Sequence, residues 1–208
     1  MKNPQIFKKT FLRSDLICDD IELDLRIQLI EEISSNLDFI PSISFKRKDN
    51  IIIYNQLFVT KFKVKSAEIQ LLERFSNDLD LLAQTKFVHG DIHQNNVIYD
   101  GVKLLLVDLE PAFLQLKNGK KVLKCSAPIR SQNDIINKII SIETDKIGFF
   151  LFCYKFLNIR YFINMTEREV LQRRKKGIYN FLPINESDFI KLSFNEIFQL
   201  FKLELSNL

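Results

Sequence analysis

An α+β fold is predicted by three observations. Strand-like runs gather in the N-terminal part of the chain. An Asp-Gly turn signal stands between two apolar runs at Asp100-Gly101. Segments of helical period make up most of the remainder. In order, Gln5 to Leu12 (QIFKKTFL) reads as a short strand. Asp19-Asp20 can cap a helix to about Leu37, with Ile21, Leu25, Leu29 and Ile33 at i+4 spacing as its buried face. Pro41 ends that region. Ile43 to Phe45 and Ile51 to Tyr54 read as a hairpin around KRKDN, and NQLFVTKFKVK as an extended connector. Ser66 to Ala83 is an amphipathic helix with Ser66 as its cap. Val97 to Tyr99 and the run VKLLLVD pair across Asp100-Gly101, where both turn positions favour positive φ. From Asp108 to about Arg130 the chain is irregular and basic. Helices are expected over 133–142, 145–157, 166–176 and 195–203.

Composition excludes several classes. With 46% hydrophobic and 27% charged residues in 208, the chain is globular rather than disordered. The longest apolar stretch, Ile147 to Leu157, contains Lys155 and is too short for a membrane span. It reads as a helix buried on all sides. The N-terminus lacks the pattern of a secretion signal, so a cytoplasmic location is expected, with delivery as an effector or toxin left open. Three cysteines at unrelated spacings give no disulfide framework and no zinc site. Two histidines do not supply a histidine metal site. A net charge of +4 favours anions without calling for nucleic acid. No two of the five glycines stand close together, so the usual phosphate-binding loops are absent. The 19 phenylalanines fall mostly at core spacing.

The chemistry concentrates around the second hairpin. Asp91 and Asn96 precede it and Asp108 ends it. A hairpin folds its ends together, so Asn96 and Asp108 can face one point. An amide oxygen and a carboxylate are hard ligands suited to Mg²⁺. Asp91, on the same loop as Asn96, can orient an attacking hydroxyl or accept its proton. Mg²⁺ with a positioned carboxylate is what phosphoryl transfer asks of a protein.

These residues also carry a resemblance. HGDIHQNNVI followed by LLLVDLE resembles the catalytic core of the protein-kinase-like superfamily, nearest the aminoglycoside phosphotransferase and choline kinase branch with HGDxHxxN and a later DxE. The resemblance implies that Asp91 is the catalytic-loop aspartate, that Asn96 is a metal ligand, and that Asp108 is the second metal ligand. Glu110 stands where protein kinases have the glycine of DFG. His89 supports the loop. His93 touches phosphate or substrate, or simply faces solvent. Asp145, beside Thr144 at the start of an apolar helix, resembles the aspartate that binds the backbone of the catalytic loop in kinase C-lobes.

The implied architecture is a two-lobed protein-kinase-like α+β fold. A reduced N-lobe covers residues 1–58 and a mainly helical C-lobe covers 59–208. Lys9, or alternatively Lys8, is the lysine that steadies the ATP phosphates. Glu22 is its helix partner, with Asp24, Glu31 and Glu32 competing. Ile51 to Leu57 takes the place of the fifth strand and hinge, the backbone of Asn55, Gln56 and Leu57 meeting adenine. No glycine-rich loop precedes the lysine strand. Either other loops hold ATP, or a partner chain completes the N-lobe, or ATP binding is lost.

The expected activity is ATP- and Mg²⁺-dependent transfer of a phosphoryl group to a hydroxyl, the acceptor being a protein serine or threonine. A small-molecule, glycan or lipopolysaccharide kinase is the alternative, AMP transfer is a variant, and a pseudokinase binding module is the rival outside enzymes. The basic residues Lys117, Lys120, Lys121, Lys124 and Arg130 could dock an acidic substrate or pair with a phosphate on Ser126 or Ser131. The run Arg173 to Lys176, followed by Gly177, reads as ordinary chemistry of a helix C-terminus, with a nucleic-acid or anionic-membrane patch as the alternative.

Overall fold

A computed structural model of the chain describes residues 5–15, 20–57, 59–62, 68–109, 130–137, 140–159, 167–177 and 181–207. They form an α+β structure. The chain divides into two compact units, one built from 1–63 with 97–123 and the other from 64–96 with 124–208. Among the described residues no helix is long and apolar enough to cross a membrane.

The first unit holds a three-stranded antiparallel sheet of β1 (Ile6–Leu12), β2 (Ile43–Lys48) and β3 (Ile51–Leu57), in the order β1-β3-β2. Residues opposite one another on antiparallel strands share a face. One face therefore carries Lys9, Tyr54 and Phe45 in one row and Phe7, Gln56 and Ile43 in the next. Tyr54, Gln56, Ile43 and Ile52 on it are buried, and the Phe45 and Tyr54 rings meet edge to face at 5.4 Å. Lys8 falls on the other face, opposite Asn55. The turn between β2 and β3 is only Asp49-Asn50, shorter than the polar run suggested. Asp49 takes φ 50 there, a conformation that aspartate tolerates.

Helix α1 (Asp20–Asn36) buries Leu23, Ile30 and Ile33. The expected face was wrong in part: Ile21 is 75% exposed and Leu25 is 62% exposed. A strict i+4 row drifts about 40° round the helix at each step, whereas positions seven apart stay nearly aligned. Leu23 and Ile30 are seven apart. Asp19 lies outside the described residues.

A second hairpin, β4 (Val97–Tyr99) with β5 (Leu104–Leu106), also belongs to the first unit. Its connection is four residues rather than two. Asp100 Oδ1 accepts the N–H groups of Val102 and Lys103 at 2.8 and 2.9 Å. Only Gly101 of the Asp-Gly pair has positive φ, at 102°. The Leu106 N–H donates to the Phe39 carbonyl at 2.9 Å, and Lys103 pairs with Asp38.

The second unit is helical: α2 (Ile69–Gln84), α3 (Gln132–Asn137), α4 (Ile142–Phe156), α5 (Glu167–Lys175), α6 (Glu186–Phe189) and α7 (Phe194–Ser206). Helix α2 starts after Glu68, later than expected, and Ser66 lies outside the described residues. The core is aromatic. Phe149 of α4 meets Phe75 of α2 at 6.2 Å and Phe194 of α7 at 5.7 Å, and Phe150 meets Phe189 and Phe201 at 5.3 and 6.4 Å. Asp80 accepts the N–H groups of Phe194 and Asn195 at 2.7 and 3.0 Å, fastening the start of α7 to α2. The basic run on α5 is not one exposed surface: Arg174 is buried, with Nη2 2.9 Å from Glu186 Oε2.

Candidate active site

The loop 89–96 belongs to the second unit and is fixed by α4. Ser141 caps α4, its Oγ accepting the Glu143 N–H at 3.2 Å. Asp145 therefore lies within the first turn of α4, 1% exposed. Its two oxygens accept the backbone N–H groups of His89 and Gly90, each at 2.7 Å. Gly148, one turn on, lets α4 approach the loop. A Cβ there would stand 2.7 Å from the Ile92 carbonyl oxygen. Gly90 is required twice over: φ is +79°, and a Cβ would meet Ile140 at 2.8 Å. Burial drives the Asp145 carboxyl up to about 7, against the two N–H donors that favour its charge.

This frame presents Asp91. Its N–H donates to buried His89 Nδ1 at 3.2 Å. Its Oδ2 stands 3.2 Å from His93 Nε2 and 3.2 Å from Asn96 Nδ2, and Asn96 Nδ2 also donates to the Asp91 carbonyl at 2.9 Å. The amide nitrogen of Asn96 is thus spent on Asp91, which leaves Oδ1 as its hard oxygen donor. His89 and Asn96 are buried, while the Asp91 side chain keeps 19% of its surface exposed.

The first unit assembles a separate group. Lys9 Nζ lies 3.1 Å from Asp108 Oδ2, both side chains about one-third exposed (30% and 32%). Asp108, two residues after β5, takes φ 63, the left-handed conformation. Its N–H donates to Gln56 Oε1 at 3.3 Å, and the same oxygen accepts the hydroxyl of fully buried Tyr54 at 2.5 Å. Of the two candidate lysines, Lys9 is the one on the Tyr54 face and beside Asp108.

Asn55 and Gln56 have strands on both sides, so their main-chain groups belong to the ladder, and the Leu57 N–H donates to Ser42 at 2.9 Å. Gln56 contributes through its side chain instead. That role, and the role of Tyr54, were not read from the sequence; the signal was the i, i+2 spacing of Tyr54 and Gln56, which puts both on one face of the strand. Gln56→Leu should leave the Tyr54 hydroxyl and the Asp108 N–H without their acceptor. The expected loss is about 1–3 kcal/mol in a urea titration, against less for Tyr54→Phe, which removes a donor and leaves the acceptor.

Glu22 lies on α1, but its side chain is outside the described residues. Asp24 pairs with Arg47 at 3.0 Å, and Glu31 accepts the Phe45 N–H at 2.9 Å. Glu110, Lys117, Lys120, Lys121, Lys124 and Ser126 lie outside the described residues. Ser131 is not open to modification: it is fully buried, and its Oγ accepts the Asp134 N–H at 3.0 Å. Among the described residues no group of three or more His, Cys, Asp or Glu is gathered for a metal. Asn96 in the second unit and Asp108 in the first each offer an oxygen donor of the kind a hard cation takes. Comparison with protein-family models and with curated protein sequences finds no match to this chain.

Proposed function

We propose that this chain is an ATP- and Mg²⁺-dependent phosphotransferase with a two-lobed protein-kinase-like fold, a reduced N-lobe, and a protein serine or threonine as acceptor. The observation that carries the reading is the Lys9–Asp108 pair, at 3.1 Å. A strand lysine and a carboxylate held by a left-handed turn meet at a polar, half-open position, where a salt bridge adds little stability. Asp145 supports the same reading by clamping the loop that carries Asp91.

In this scheme Asp91 orients the acceptor hydroxyl and takes its proton. Asn96 and Asp108 provide oxygen donors for Mg²⁺, which when bound offsets the negative charge of the phosphates. Lys9 steadies the nucleotide phosphates. A macromolecular acceptor is favoured because the chain between Asp108 and Asp145 is too short for a large substrate-binding insertion.

The test is incubation with γ-labelled ATP and Mg²⁺, alone and with cell lysate. Label is expected on protein and should fall at least about 100-fold with Asp91→Ala. Label on small metabolites would move the acceptor to the small-molecule or glycan class. Absence of transfer in every arm would overturn the reading in favour of a binding module.

A further inference from the structure

The loop holds a histidine that the proposed roles leave unused. His93 Nδ1 accepts the Asn95 N–H at 3.2 Å, so the ring proton resides on Nε2. Nε2 in turn lies 3.2 Å from Asp91 Oδ2. Asn96 Nδ2 reaches the same oxygen at 3.2 Å. Two donors therefore converge on Oδ2, and the Asp91 N–H is held by His89. A carboxylate pinned through one oxygen has a fixed rotation, and its other oxygen has a fixed direction.

We infer that His93 is a positioning residue for Asp91: by donating from Nε2 to Oδ2 it reserves Oδ1 for the proton of the acceptor hydroxyl. This rests on the phosphotransferase reading. During transfer the hydroxyl O–H bond breaks and its proton passes to Oδ1. The acceptor oxygen bonds to the γ-phosphorus of ATP, and ADP departs with the electrons of the bond it held. His93 gives up no proton in this sequence. It keeps the Asp91 carboxylate turned so that the receiving oxygen is in place before the acceptor arrives, which is the kind of geometric constraint to which rates are sensitive.

The substitution series uses the full chain. His93→Ala removes the donor, whereas His93→Gln places an amide N–H near the position of Nε2. Outer hydrogen-bond partners of this kind are commonly worth about 10-fold or more in activity. His93→Ala is expected to lower kcat about 10-fold with the KM for ATP unchanged, and His93→Gln to recover most of that loss. A loss as large in His93→Gln as in His93→Ala, or a change confined to KM, overturns the role. Nitrogen NMR gives a readout independent of turnover, because the chain has only 2 histidines. The proton should be found on Nε2 of His93, and that signal should shift in Asp91→Asn. A proton on Nδ1, or a signal indifferent to Asp91→Asn, also overturns it. Transfer that is lost in Asp91→Ala but unaltered in His93→Ala refutes the positioning role alone. Absence of transfer by the unmodified chain refutes the phosphotransferase reading and the positioning role together.

Discussion

Phosphoryl transfer by the Asp108→Asn protein is expected to fall about 100-fold or more, as it does when a principal charge-stabilising group is removed from an active site. Asparagine is the informative replacement. Asp108 adopts φ 63, which asparagine accepts and alanine resists by roughly 1–2 kcal/mol. Asn keeps the backbone turn and the N–H bond to Gln56, and it removes only the charge opposite Lys9. The pair is about one-third exposed on both sides, so its contribution to folding is at most about 1 kcal/mol. The urea midpoint should therefore move little while kcat collapses. A parallel loss of both would make Asp108 a folding residue and remove the main support for the proposed chemistry.

Asp145→Ala is expected to be the most damaging single change to the second unit. The His89 and Gly90 N–H groups would lose their acceptors in a buried place, at about 1–3 kcal/mol each. Activity should fall with stability, because the same bonds hold the loop that presents Asp91. The carboxyl also gives a signature in pH. Its native value is raised from 3.8 to about 7 by burial. Between those values the folded chain holds a proton that the unfolded chain has released. Stability from this group is thus fullest below pH 4 and declines as the pH rises towards 7, by about 1.4 kcal/mol per pH unit at most. Asp145→Asn keeps one acceptor and cannot titrate. Urea titrations at pH 5 and pH 7 should show a smaller difference in Asp145→Asn than in the wild type. An unchanged difference would mean that Asp145 does not titrate in this window.

The loop and its clamp were legible because both are local in character. HGDIHQNN keeps its polar residues at fixed offsets, and Asp145 stands at the head of an apolar helix. The pairing between them, 56 residues apart at His89, follows once the helix is buried. The preference for Lys9 over Lys8 could not be read from alternation, which separates the two lysines without saying which face is covered. Pairing with β3 supplies the faces: Lys9 shares one with buried Tyr54, and Lys8 lies on the other. The buried stripe of α1 was misread because the i+4 row through Ile21 and Leu25 competes with the row through Leu23 and Ile30, and only tertiary packing chooses between them. The Tyr54–Gln56–Asp108 chain was invisible for a related reason. A glutamine in a strand shows no partner until the register is known.

The first unit is completed by a stretch of chain made much later than the rest of it. Leu106 and Lys103 supply the partners of Phe39 and Asp38, and Tyr99 supplies the acceptor for Phe62. At about 5–20 residues added per second, a ribosome takes seconds to pass from the early strands to β5. Throughout that interval the first unit lacks its second hairpin, and the Phe39 carbonyl lacks its bond. Synthesis order thus sets a waiting period during which the segment around Phe39 stands without its partner. Slowing translation ahead of Leu104 would lengthen it.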